Sequence, residues 1–305
     1  MITVISCASS ANLGPGYDSA SLALNAFHEI LDAEVSQDEM TMPVAVTGKE
    51  GSRLKGTPQE VVAEAILNDF DSKEHINLIS RGNIPWGSGL GSSGACSVAT
   101  VLALNELLDL RLRRESMIKY ASLGEKSVTG TAHLDNVIAS LVGGLVLIEA
   151  LDPPKWHKVP IHSDLKLAVV NIRIEMAEKT KKCRAVIPEQ VKIGSAVANA
   201  RNLAMLILGL KTYDPELIKA GMNDAIVEQA RSSIYPFYLK LKENLLAHGA
   251  LGVALSGAGP SVLCVLGEDQ PMENIRIATQ EVLGFNRIPF DVIESGVCGG
   301  AIIAR

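Results

Sequence analysis

The chain has 305 residues, 47% of them apolar and 20% charged, with a net charge of −6. That is enough apolar sequence to bury one large or two moderate cores, and it excludes a disordered tail. Scattered cations and only 4% aromatic residues exclude a basic stripe or stacking platform for nucleic acid.

Residues 1–35 read as a strand (ITVISCA), a polar turn (NLGPGYD) and a second apolar strand-like stretch. The start lacks the basic and long apolar regions of a secretory leader, and no run of about 18 apolar residues predicts a membrane span. The expected location is therefore cytoplasmic. Residues 40–50 alternate like a strand, and Pro58 to Asp69 has helical spacing. A strand at 75–80 leads into the most informative segment, IPWGSGLGSSGACSVATVLALNELL, from Ile84 to Leu108.

Gly87, Gly89, Gly91 and Gly94 run there straight into an apolar helix. Glycine lets backbone N–H groups converge on one point, and a helix start adds unpaired amides and a positive dipole end. Such a loop suits phosphate. The formal G-x-G-x-x-G match lacks the tight strand–turn–helix unit and the acidic residue of a dinucleotide site, and no Gly-Lys-Ser/Thr makes it a Walker loop.

A further helix is expected from Arg114 to Lys126, another from Asn136 to Leu141, then a strand in GGLVLIEAL. Asp152-Pro153-Pro154 is the predicted linker, dividing the chain into 1–155 and 156–305. The second half predicts a strand (LKLAVVNI), a polar loop to Pro188 and helices at 190–210, 214–230 and 235–248. Strands GVALSG and SVLCVLG flank an AGP turn, and a helix near 271–283 precedes a final strand, GGAIIAR. The cluster Lys179, Lys181, Lys182 and Arg184 reads equally well as a solvated loop. Five widely spaced cysteines without C-x-x-C predict buried, reduced thiols rather than a disulfide framework or a zinc site. The expected class is α/β (α+β) with two domains.

Two more short motifs matter: SSANLGPGYD near the N-terminus and Ser256-Gly-Ala-Gly-Pro-Ser261 between two strands. Each alone is compatible with a tight turn. Together, in this order with PWGSGLGSSGA, they resemble the GHMP small-molecule kinases. The resemblance spans almost the whole chain. It implies a ribosomal protein S5-like N-terminal domain that binds ATP and a ferredoxin-like C-terminal domain, with the site between them.

SSANLGPGYD, TAHLDNV followed by Gly143-Gly144, and the run Thr180-Lys-Lys-Cys-Arg184 place the strongest likeness with members acting on L-homoserine. The implied reaction is ATP-dependent phosphorylation of its hydroxyl to O-phospho-L-homoserine, a step in threonine synthesis. Members acting on mevalonate, shikimate or pantoate remain as alternatives, as does a non-catalytic ligand sensor on the same fold.

The resemblance also implies roles. Pro85, Trp86, Gly87, Ser88, Gly89, Leu90, Gly91, Ser92, Ser93, Gly94 and Ala95 form the nucleotide loop. Ser93 and Glu125 hold Mg²⁺. Asn12, Asp18, His133, Asp135, Thr180, Arg184 and Arg231 hold the substrate: Asp18 or Asp135 takes the α-ammonium, and Arg184 and Arg231 take the α-carboxylate. Asn136, Asp135 and Arg184 are the expected catalytic groups, Asn136 orienting the hydroxyl. Partners are the small substrate and ATP, with no nucleic acid or membrane, and a homodimer is allowed. Departures from the family pattern are Tyr17 for phenylalanine, Ile138-Ala139-Ser140 after Asp-Asn-Val, and Gln229 for proline.

Overall fold

The computed structural model describes residues 1–36, 42–162 and 164–304. It contains the two expected units. The first is an eight-stranded sheet in the order β12-β1-β2-β5-β3-β4, with β6 and β7 joined to β2. Its strands are β1 (Ile2–Asn12), β2 (Gly16–Val35), β3 (Val44–Gly48), β4 (Arg53–Leu54), β5 (Ile76–Ser80), β6 (Leu145–Leu151), β7 (Pro154–Val159) and β12 (Ile302–Ala304). The strand expected over 40–50 is β3, and positions 40 and 41 lie outside the described residues.

Four helices accompany this sheet: α1 (Pro58–Asp69), α2 (Ser92–Leu107), α3 (Arg114–Thr129) and α4 (Leu134–Val142). Thr57 caps α1 by accepting the Glu60 amide, and Pro58 sits at its first turn, where a missing N–H costs nothing. Helix α2 is buried on nearly every side. It packs on β1 and β2 through Val98, Ala99 and Val101 in the first hydrophobic cluster.

The second sheet has four antiparallel strands, β8 (Lys166–Ile172), β9 (Ala250–Leu255), β10 (Val262–Leu266) and β11 (Phe290–Ser295), in the order β11-β8-β10-β9. Numbered within the sheet this is 4-1-3-2, the ferredoxin-like arrangement. Its central strands, β8 and β10, are mostly apolar because both faces are covered. Leu167, Val169, Leu263 and Val265 face a cluster shared with Leu22 and Leu24 of β2 and Leu90 of the glycine loop. Ala168, Val170, Val262 and Cys264 face the opposite cluster. Helices α9 (Tyr238–Ala247) and α10 (Met272–Thr279), the latter continued by a π-helical turn at Gln280–Gly284, cover that opposite face through Tyr238, Leu241 and Ile275. The shared cluster fixes the two sheets against each other.

Several expectations change here. Asp152-Pro153 is the hairpin turn between β6 and β7, which pair from Leu151↔Pro154 to Leu145↔Val159. The chain crosses to the second sheet only between Val159 and Lys166, and β12 returns to the first sheet. A cut at 155/156 therefore falls inside β7. The loop before Pro188 holds a short helix, α5 (Lys179–Ala185). The helix expected over 190–210 is α6 (Ile193–Thr212), whereas 214–230 is broken into α7 (Pro215–Gly221) and α8 (Val227–Arg231). Asp214 caps α7, and Asp224 accepts the amides of Ile226, Val227 and Glu228 at the start of α8. Strand β11 was not expected, because Phe290–Ser295 carries acids at 291 and 294 on an edge.

The thiols also differ from expectation. Cys7 and Cys298 form a disulfide across 291 positions, their Cα atoms 6.4 Å apart. Pairing of Ala23 with Cys298 through its amide, and of Gly144 with its carbonyl, lays the C-terminal segment beside β1 and β2. Sequence spacing carries no trace of that crossing. Cys96, Cys183 and Cys264 are free and buried, as expected.

Candidate active site

One cleft between the sheets gathers residues from seven separate segments. It is an open cleft, continuous with solvent, lined by polar and charged side chains from both units. Of the expected residues, Asn12, Asp18, Trp86, Gly87, Gly89, Gly91, Ser92, Ser93, Glu125, His133, Asp135, Asn136, Thr180, Arg184 and Arg231 line it.

The glycine loop forms one wall. Gly87, Gly89 and Gly91 all have positive φ, which only glycine adopts without strain. Gly91 is the N-cap of α2 and has no side chain to occupy the first-turn amides, so they remain available to an anion. A Cβ on Gly89 would lie 2.3 Å from the Ser256 carbonyl oxygen. The Ser256–Ser261 loop thus packs directly against the first glycine loop, and Ser256 Oγ donates to the Gly89 carbonyl at 2.9 Å.

Pro85, Ser88, Leu90, Gly94 and Ala95 lie behind this wall rather than on the cleft surface. Ser88 Oγ donates to the Pro85 carbonyl at 2.7 Å, Leu90 joins the shared core, and the Ala95 carbonyl accepts Ser6 Oγ at 2.8 Å. Gly94 lies in α2 against Asn136, where a Cβ would be in ordinary van der Waals contact at 3.4 Å.

At the far end, α3 carries Glu125 into the cleft. Its carboxylate is buried and accepts the Ser93 hydroxyl at 2.5 Å. Burial raises its pKa, which the Ser93 hydrogen bond and His133 only partly oppose. A hydroxyl and a buried carboxylate side by side form a hard-oxygen donor pair, which fits Mg²⁺ held mostly by phosphate and water.

The start of α4 supplies Asp135 and Asn136. Ser9 Oγ donates to Asn136 Oδ1 at 2.9 Å, and Asn136 donates its backbone N–H and Nδ2 to Asp135 Oδ1 at 2.8 and 3.2 Å. These bonds fix the amide's orientation. Burial lifts the Asp135 pKa to about 6, with His133 opposing and Asp18 adding to the shift.

Asp18 is differently placed. Burial alone would raise its pKa, but His133 and Arg184 hold it below the ordinary value. Arg184 uses three of its five N–H donors locally, donating to Tyr17 Oη at 3.3 Å, Thr131 Oγ1 at 3.1 Å and Asp18 Oδ2 at 2.7 Å. His133 is desolvated, yet Asp18, Asp135 and Glu125 together raise its pKa. Asn12 braces the turn: its Nδ2 donates to the Gly257 carbonyl at 2.9 Å and its Oδ1 accepts the Asp18 amide. Arg231, buried at the end of α8, donates to the Gly257 and Cys183 carbonyls and lies over the Tyr17 ring.

Sequence reasoning gave no role to Lys179 or Tyr17 on the cleft wall, and singled out the Ser256–Ser261 loop, which supplies Gly257 and Ala258, only as a motif. The signal for Lys179 was helical spacing. Lys179 and Cys183, and Thr180 and Arg184, are i,i+4 pairs and turn inward, while Lys181 and Lys182 are exposed.

A helix start and two glycine loops arranged for phosphate, a hydroxyl–carboxylate pair for a metal and a ring of charged groups define a small-molecule phosphotransferase. The chain matches the model of the GHMP kinases N terminal domain over residues 54–144 and that of the GHMP kinases C terminal domain over 206–280. It belongs to the GHMP kinase family. A homoserine kinase of Sulfolobus acidocaldarius is 36% identical over 304 residues, 97% of each chain. One of Thermoplasma volcanium is 37% identical over 264 residues, 87% of this chain and 84% of the relative. The crystal structure of homoserine kinase from Cytophaga hutchinsonii aligns with a TM-score of 0.89 at 30% identity, covering 99% of this chain and 97% of that one. Mevalonate kinase of L. major shares the fold at 17% identity and a TM-score of 0.69.

Proposed function

We propose that this chain transfers the terminal phosphoryl group of ATP to the hydroxyl of L-homoserine, giving O-phospho-L-homoserine for threonine synthesis. The observation that carries this reading is the pairing, in one cleft, of a phosphate-type glycine loop with both acids and arginines for an amino acid. Asp18 is already neutralised by Arg184 and His133. Asp135 has no cation within ion-pair distance among the described residues, so it is the better partner for the α-ammonium. Arg231, whose guanidinium is only partly used by carbonyls, takes the α-carboxylate with Arg184.

Asn136, held by Ser9 and Asp135, orients the hydroxyl toward the phosphoryl group. Transfer through a loose transition state rests on positioning and charge stabilisation, so no dedicated base is required. The amides of the loop and of α2 stabilise charge on the phosphoryl oxygens. Ser93 and Glu125 would hold Mg²⁺, which neutralises phosphate charge when bound.

An ADP-release assay over homoserine, mevalonate, shikimate and pantoate tests the assignment. Turnover with homoserine well above the other three is expected. Preference for a substrate lacking an amino group would refute it.

A cytoplasmic homodimer belongs to the same proposal. Helix α6 is long and apolar enough to cross a membrane, with a mean hydropathy of 1.4 and 17% of that window buried. Yet Asn199 and Asn202 at its middle hydrogen-bond Asp224 and the Asn223 carbonyl, as a surface helix does. Ile193, Val197 and Leu208 are exposed on it. An antiparallel second copy centred near Ala200 would set Ile193 against Leu208 and Val197 against Ala204. That stripe is self-complementary, as a two-fold interface requires.

A further inference from the structure

Lys179 is the cation of the cleft that the functional reading leaves without a task. It opens α5, the helix that also presents Thr180 and Arg184, so it stands between the glycine loops and the substrate residues. Its Nζ donates to the Gly87 carbonyl at 2.7 Å and, in a shorter contact, to the Gly259 carbonyl. One ammonium therefore spans both glycine loops.

Those two bonds do not neutralise it. An ammonium has three donors, and the described residues offer Lys179 only these two acceptors. No carboxylate lies within ion-pair distance of it among the described residues, and its charged neighbour Arg231 repels it. The stem is half-buried, but protein surrounds the ammonium itself, and that desolvation pulls its pKa down to about 8. A charge kept in such a place costs stability unless an anion completes it. The α2 start and the loop amides face the same space, and they too lack a counter-charge.

We propose that Lys179 is a ligand of the terminal phosphate end of ATP, held ready by the Gly87 and Gly259 carbonyls. The Nζ donor left over meets a β- or γ-phosphate oxygen, opposite the amides of Gly89 to Ser93. Because the Gly87 and Gly259 loops come from different sheets, the ammonium reads the triphosphate at their seam. This inference rests on ATP occupying the cleft as described above.

The experiment is calorimetric titration of the full chain with AMP, ADP and a non-hydrolysable ATP analogue, without homoserine. Wild type, Lys179→Met and Lys179→Arg are compared, each with its Tm. Wild type is expected to favour the triphosphate over AMP. Lys179→Met should lose about tenfold to hundredfold in triphosphate affinity, the scale of one hydrogen bond to a charged group, while AMP affinity stays within about twofold. Lys179→Arg should recover part of the loss, since the charge remains.

Two results would overturn the role of Lys179 alone: unchanged triphosphate affinity in Lys179→Met, or an equal loss for AMP, ADP and the analogue with a lowered Tm. The second would make Lys179 a strap between the loops. A wild-type chain that binds AMP as tightly as the triphosphate would instead refute the placement of ATP in the cleft.

Discussion

Two buried acids illustrate how position sets the task of a residue. Asp135 is buried beside Asn136 and faces the cleft. If it holds the substrate ammonium, Asp135→Asn should raise the KM for homoserine at least about tenfold, because a buried cation loses its counter-charge. A fall in kcat at unchanged KM would instead make Asp135 a general base. Glu29 lies on β2, away from the cleft, with Ser80 Oγ donating to it at 2.5 Å. Burial raises its pKa from 4.5 to about 7, against the Ser80 and Cys96 hydrogen bonds. Its folded state therefore holds the proton more tightly than the unfolded chain does. That contribution is complete below pH ~4.5 and is lost as pH rises through about 7. The stability of Glu29→Gln relative to wild type should accordingly improve between pH 5 and pH 8 by up to about 3 kcal/mol. A difference that stays flat with pH would show that Glu29 titrates normally.

At the scale of elements, the two glycine loops behave as one unit. Gly89 has φ +88° and faces the Ser256 and Gly259 carbonyls at 2.3 and 2.7 Å from a would-be Cβ, whereas Gly87 has φ +67° and open space. Gly87→Ala should cost only the left-handed backbone penalty of about 1 kcal/mol. Gly89→Ala must in addition push the second loop away, so its Tm should fall clearly further, by the equivalent of about 2 kcal/mol or more. Thermal melts of both variants compare the two costs, and equal losses would mean the loops are not in packed contact. The sequence announced the first loop and its helix plainly, since four glycines before an apolar run have few alternatives. It did not announce α5, a helix of seven residues anchored by Cys183 in a core built by α9 and β10.

The whole molecule is closed by the Cys7–Cys298 bond, which ties the C-terminal segment to β1. A sequence separation of 291 places the chain-entropy ceiling at about 6 kcal/mol, with about 2–4 kcal/mol the usual yield. Cys298→Ser and reductant-treated wild type should therefore melt at a similar, lower temperature. Denatured, unreduced wild type should titrate three thiols, Cys96, Cys183 and Cys264. Five titratable thiols would rule out the bond. At the α6 face, Val197→Glu should convert a dimer to monomer in sedimentation while leaving the fold intact, since Val197 is exposed. A monomeric wild type would remove the dimer from the proposal.

The sequence by itself determined the alternation of strands and helices, the glycine loop at the start of α2 and the class of ligand such a loop admits. These follow from local rules, namely periodicity, capping and the backbone freedom of glycine. Tertiary structure alone decided which charges meet. It paired Asp18 with Arg184 across 166 positions, leaving Asp135 with no cation at ion-pair distance among the described residues. It also joined Cys7 to Cys298, turned Lys179 inward from a basic run that reads as solvated, and made a hairpin of the supposed linker at Asp152-Pro153. The hairpin is local, but its pairing is fixed by the sheet it joins. The other three are long-range contacts whose energy depends on burial and neighbouring charge, and neither is encoded in the spacing of residues along the chain.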